Sequence, residues 1–300
     1  MLRQAENRVK IEGILSEIDI RPNSFINKNG EKVDSIGGTI KVKVNQNING
    51  EDLALEVPIH LFASKKTKKG TLNPAYSSIE RVANEFVSIA AADSEKEADK
   101  IRITNGKITM NEYYNNNGLL VSFPRVTTSF INKVDGDIDP EATFSVEFTV
   151  VSKDYEIAPD GTQTDRYKIQ GALPQYGGKV DLITFYAINE NVIDAVSNYW
   201  NVGDTVKASG KLKFNSETET YTTEVDFGEP IKNSRTITVS DLIITGGTQS
   251  PLEGEFAFDM EEIKTGLAER KANLDSQKER NSKPSSAPPK NSNSFEDLGF

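Results

Sequence analysis

Cysteine is absent from the 300 residues, and histidine and tryptophan each occur once. Without cysteine there is neither a disulfide staple nor a thiolate metal site. A single histidine leaves zinc without its usual ligand set. No apolar run approaches the roughly 18 residues of a membrane span. The N-terminal "MLRQAENRVKIEG" has no signal-peptide core. Hydrophobic residues reach only 36 %, a deficit expected to sit in loops and tails. Positive charge is scarce as well: 35 Lys and Arg face 45 Asp and Glu, for a net charge of −10. Binding to nucleic acid driven by overall charge would need a basic chain, so any such activity must rest on local patches. Neither a P-loop nor a G-x-S-x-G elbow occurs. The expectation is a soluble, cytoplasmic, non-enzymatic protein that needs no cofactor.

What is present is β-pattern. Residues 37–47, "GGTIKVKVNQN", alternate with Ile40, Val42 and Val44 on one side and Lys41 and Lys43 on the other. Such period-2 alternation marks a half-buried strand. Asn49-Gly50 follows as a hairpin-turn signal, and Leu53, Leu55, Val57, Ile59 and Leu61 alternate beyond it. After "KKTKKG" (65–70), residues 73–91 read as a helix. Asn73 is a good N-cap and Pro74 suits the first helical position. Ile79, Val82, Ala83, Phe86, Val87 and Ala90 form its apolar stripe. With strands at 8–19, 100–111 and 119–131, the order is β-β-β-α-β-β, that of an OB-fold.

The same order recurs. Strands are expected at 142–157, 165–173, 179–188, 203–214 and 219–227, with a short helix at 189–200 between the third and fourth. "DKIRITNGKITM" (99–110) also resembles "DTVKASGKLKF" (204–214). The sequence therefore predicts an all-β protein with short helices. Two tandem OB-like five-stranded barrels are expected at 1–134 and 142–250, joined by a linker at 135–141. An extra strand is expected near 235–245 and a weakly helical segment at 251–280. Residues 281–300 are low in complexity and predict a disordered tail.

Binding a single strand needs cations for phosphates and flat side chains for bases. In the first half the candidates are Lys41, Lys43, Arg102, Lys107 and Arg125 on strands, with Phe62 and His60 beside them. Lys65, Lys66, Lys68 and Lys69 lie in the loop after strand three, and Tyr113 and Tyr114 near the end of strand four. In the second half Arg166 and Lys168 point outward, leaving Tyr167 and Ile169 for the core. Lys207, Lys211 and Lys213 share one face of strand four. For each lysine the plain alternative is a solvated charge, and for Tyr221 and Trp200 it is packing. Asp135, Asp137, Asp139 and Glu141 have a spacing that suits a divalent cation but read first as a solvated connection.

"VGDTVKASGKLKFNSETETYTTEVDF" (202–227) resembles strands four and five of bacterial single-stranded DNA-binding proteins, through Gly203, Val206, Ala208, Gly210, Leu212 and Tyr221 to Val225. The ending "NSFEDLGF" resembles that family's acidic tip with its terminal Phe. The resemblance implies a protein that coats single-stranded DNA during replication and recombination, with self-association into a homo-oligomer as an open expectation. It implies a tip of Phe295, Glu296, Asp297, Leu298 and Phe300 that docks on replication or recombination proteins. Two barrels in one chain point to a phage or mobile-element version. The alternatives are a β-rich structural or virion assembly protein without DNA affinity, and a metal-dependent nuclease.

Overall fold

The computed structural model describes residues 2–27, 29–115, 117–223 and 231–282, with side chains described except at 216–237 and 281–282. Its first strands are β1 (Asn7–Ile26), β2 (Lys32–Ile48) and β3 (Glu51–Ser64). The Asn49-Gly50 turn has positive φ at both residues, 52° and 89°. This is the two-residue hairpin turn whose twist matches that of its strands. The alternation is realised: Ile40, Val42, Val44, Val57 and Ile59 are fully buried.

Helix α1 (Pro74–Glu85) starts where the caps predict, with the Asn73 side chain accepting from the Ala75 N–H at 3.1 Å. It stops six residues short of the expected end. Beyond it the backbone turns to other partners: Val87 N–H donates to Asp99 Oδ2, and Ile89 and Ala90 N–H donate to the Leu15 and Ser16 carbonyls of β1. These tertiary bonds override the local helical pattern. Strands β4 (Lys100–Tyr114), β5 (Leu120–Thr128) and the short β6 (Asn132–Lys133) follow. Pairing runs β1-β2-β3-β5-β4 and back to β1, a closed five-strand circuit with OB connectivity.

A second circuit repeats it with β7 (Glu141–Ile157), β8 (Gln163–Pro174), β9 (Val180–Ala187), helix α2 (Glu190–Tyr199), β10 (Thr205–Thr223) and β11 (Ile231–Gly247). The order is β7-β8-β9-β11-β10 and back to β7. Its core stacks Phe148 on Phe185 at 4.6 Å between ring centroids, with Trp200 edge-on to Phe148 at 5.9 Å. Trp200 is buried, and its indole N–H donates to the Thr248 carbonyl at 2.7 Å.

Two expectations change here. Residues 219–223 do not begin a fifth strand. They continue β10, whose register with β11 is unbroken from Gly210 to Thr223. The fifth strand is the one expected as an extra at 235–245. Polar "NSETET" (215–220) separates the two strands expected from sequence, but its backbone pairs with β11 residue by residue. Glu224 and Val225, carried by the family resemblance, lie outside the described residues.

The weakly helical segment is α3 (Met260–Ser282). Asp259 caps it by accepting from the Glu261 and Glu262 N–H groups. Few apolar side chains suffice, because Ile263 and Leu274 are buried and Gly266 lets the helix approach Val180 of β9 closely. The tail from 283 on, including Phe295, Glu296, Asp297, Leu298 and Phe300, lies outside the described residues.

The circuits share a seam that alternation alone does not reveal. Asn7–Glu12 of β1 pairs antiparallel with Glu141–Val146 of β7. Buried Gln46 of β2 crosses it, donating to the Leu212 carbonyl at 2.9 Å and accepting from the Ala142 N–H at 3.0 Å. Gln46→Ala leaves both backbone groups without that partner. The expected cost is about 1–3 kcal/mol, read as a lower urea midpoint; an unchanged midpoint would remove Gln46 from the account.

Candidate nucleic-acid interface

Strand pairing carries chemistry across the outward face of the first circuit. His60 of β3 stands opposite Thr127 of β5, which stands opposite Lys107 of β4. Thr109 then faces Arg125, Asn111 faces Phe123 and Tyr113 faces Val121. Directly paired residues share a face, and so do residues two apart along a strand. One side of the β4–β5 hairpin therefore shows Lys107, Arg125, Phe123 and Tyr113 in succession. Lys107 and Tyr113 are six residues apart, about 20 Å at strand rise.

Beside this row His60, Phe62, Lys107, Arg125, Thr127 and Phe130 line a cleft of about 560 Å³. Phe62 is 61 % exposed and Phe130 55 %. Large apolar side chains left this open beside cations suit a flat ligand better than a core. Phe25, on the outer end of β1, tilts toward Phe62 with centroids 6.0 Å apart. Arg125 reaches only neutral oxygens, Thr109 Oγ1 at 3.4 Å and Asn111 Oδ1 at 3.5 Å. Among the described residues no carboxylate lies within ion-pair distance of Lys107 or Arg125. Burial, and then the nearby Arg125 guanidinium, holds the His60 imidazole below the usual histidine range. The exposed lysines 65, 66, 68 and 69 begin three residues beyond Phe62.

Most of the other predicted strand cations are engaged elsewhere, Lys168 and Lys213 excepted, which make no ion pair among the described residues. Lys41 bridges Glu17 at 2.6 Å and Glu56 at 3.8 Å, and Lys43 meets Glu95 at 2.9 Å. Arg102 grips Glu12 through two bonds of 2.7 and 2.8 Å, which hold that carboxyl below its usual range. In the second circuit Lys207 pairs with Glu6 at 2.6 Å, and Lys211 donates to the Asn47 carbonyl. Arg166 lies between Glu156 at 3.2 Å and Asp241 at 3.0 Å. Lys168 stands opposite Asp154, and Lys213 opposite Asp241.

Sequence reading singled out Lys107, Arg125, Phe62, His60 and Tyr113 but missed Phe123, Phe130 and Phe25. Phe123 shares the phase of Arg125 two residues on, a signal available in the sequence. Phe130 lies past the end of β5 and Phe25 on a hairpin end, where no alternation marks them. Among the described residues no cluster of three or more His, Asp or Glu is placed to hold a metal ion. Asp135, Asp137 and Asp139 lie between β6 and β7, and Glu141 opens β7. No described helix is long and apolar enough to cross a membrane.

The comparisons with known proteins add a family. The model of a family described as YorF matches residues 5–280. No curated protein matches the chain. Among solved structures, the wild-type single-stranded DNA binding protein of Thermus aquaticus is similar at 12 % identity and a TM-score of 0.48, over 84 % of this chain and 96 % of that one. A deletion variant of that protein gives 13 % identity and 0.46, over 84 % and 97 %. At that distance the likeness says nothing of what this chain binds.

Proposed function

We propose that the chain, which belongs to the YorF family, binds single-stranded DNA on the outward face of its first strand circuit. One observation carries the reading: exposed Phe62 and Phe130 share a cleft with Lys107 and Arg125, two cations without a carboxylate partner among the described residues. Cations track the phosphates, and aromatic rings stack bases without regard to sequence. The hairpin row from Lys107 to Tyr113 continues this chemistry along an extended path. On this reading each circuit is one OB-like barrel, with the boundary at 135–141. The protein is a non-enzymatic binder that coats single strands in the cytoplasm during replication or recombination, and a phage or mobile element is its source. The C-terminal tip then recruits replication proteins.

Fluorescence titration of the full chain with oligo(dT) across a salt series tests the reading. Affinity is expected to fall with salt at a log–log slope of about −0.7 per phosphate neutralised. No binding at low salt would overturn it in favour of a structural or assembly protein. A chain ending at Ser282 is expected to bind at least as tightly as the full chain. Weaker binding would move the tail from partner recruitment to DNA contact.

His60 gives the site a pH dependence. A polyanion favours the protonated imidazole, so affinity is expected to rise as pH falls from about 7 to about 5. His60→Asn flattens that rise. Identical pH profiles for the two proteins would remove His60 from contact with the strand.

A further inference from the structure

The two circuits are built alike, yet their corresponding faces differ. Register places Tyr186, Ile243 and Lys211 in the second circuit where His60, Thr127 and Lys107 stand in the first. In the first circuit this row is open. In the second, Ile243 is buried, and Tyr186 lies beneath the Arg166 guanidinium, 3.8 Å from ring centroid to Cζ. Arg166 is itself neutralised by Glu156 and Asp241. Burial, and next the Glu156 charge, pushes the Tyr186 hydroxyl up to about 12.

The second face is also roofed. Alternation gives the β4–β5 hairpin two sides, and the side opposite Lys107 and Arg125 carries Met110, Glu112, Ser122 and Pro124. Met110, Ser122 and Pro124, with Arg270 of α3, stand over Thr184 and Tyr186 around a cleft of about 500 Å³. Two contacts hold the roof down. The Met110 N–H donates to Asp181 Oδ2 of β9 at 3.2 Å, and Arg270 forks onto Glu112.

The geometry points to one open strand-binding face per chain, with the second face closed by the back of the same hairpin that forms the first. This inference rests on the single-strand reading above and deepens it. The ligand is a single-stranded polynucleotide, and Lys107 and Arg125 set the affinity. Arg166 contributes none while Glu156 and Asp241 hold it. The duplicated fold therefore does not double the site.

Native mass spectrometry of the full chain with an oligothymidylate of about ten nucleotides tests this, a length within the range of one OB-fold. One oligonucleotide per chain is expected at saturation. Lys107→Ala with Arg125→Ala is expected to weaken binding by about tenfold or more, and Arg166→Ala by less than about twofold. Arg166→Lys, which keeps the charge, serves if the alanine variant does not fold. It too is expected to bind within about twofold of the unaltered chain. Two oligonucleotides per chain, or an Arg166 variant that loses as much as the Lys107/Arg125 pair, would overturn the inequality and leave the single-strand reading standing. No binding by the unaltered chain would overturn that reading, and the inequality with it.

Discussion

Phe148→Ala is expected to cost about 3–5 kcal/mol of folding free energy, the upper range for deleting a buried aromatic ring. Phe148 is fully buried, stacked on Phe185 and edge-on to Trp200. The vacated space cannot close easily, because each neighbour is fixed from elsewhere. Phe185 belongs to β9, paired with β8 through its whole length, and the Thr248 carbonyl holds Trp200 by its indole. Gly171 lies so close to the ring that a Cβ there would come within 2.5 Å of it. The loss is a large part of the 5–15 kcal/mol that holds a typical domain together. Urea denaturation measures it, and a loss below about 1 kcal/mol would contradict this account of the core. Phe62→Ala is the contrast. Its ring is largely exposed, so stability is expected to change by about 0.5 kcal/mol or less.

The largest effect on binding is expected from removing Phe62, Lys107 and Arg125 together. Each cation removed takes one phosphate contact with it, reducing the log–log salt slope by about 0.7. The stacking ring adds about 1–3 kcal/mol, or roughly 5- to 150-fold in affinity. Together the triple variant is expected to bind oligo(dT) at least about a hundredfold more weakly, with its unfolding midpoint little changed. Lys41→Ala and Lys43→Ala are the matched controls. Both lysines face outward on β2 but are engaged by Glu17, Glu56 and Glu95, so their loss is expected to change affinity by less than about threefold. A triple variant that binds within about threefold of the unaltered chain would move the site elsewhere.

Much of the fold could be read from local signals. The β2–β3 hairpin follows from alternation plus Asn49-Gly50, and the start of α1 from Asn73-Pro74. The repeated β-β-β-α-β-β order follows from periods of two and 3.6 residues. What escaped was set by partners distant in sequence. The end of α1 is decided by carbonyls of β1 some seventy residues away. The seam between β1 and β7, with Gln46 across it, leaves no mark in either segment. The outer part of β10 is polar in sequence and reads as split from its strand, whereas its pairing with β11 is set by a segment some twenty residues on; α3 is legible only as weak helical character, because few apolar residues anchor it. The site shows the same divide. Alternation finds the outward lysines and arginines, yet which of them are free depends on acids elsewhere. Lys41 and Lys107 look equivalent in sequence, but Glu17 and Glu56 occupy one, and no described carboxylate reaches the other.

Photocross-linking with an oligonucleotide that carries 5-iodouracil tests the central claim most directly, because it reports which rings meet a base. Adducts mapped by mass spectrometry on the full chain are expected at Phe62 and Phe130, and along the hairpin at Phe123 and Tyr113. None is expected at Tyr186, under its roof and its arginine. Adducts at Tyr186 with none at Phe62 or Phe130 would place the strand on the second circuit and contradict the account.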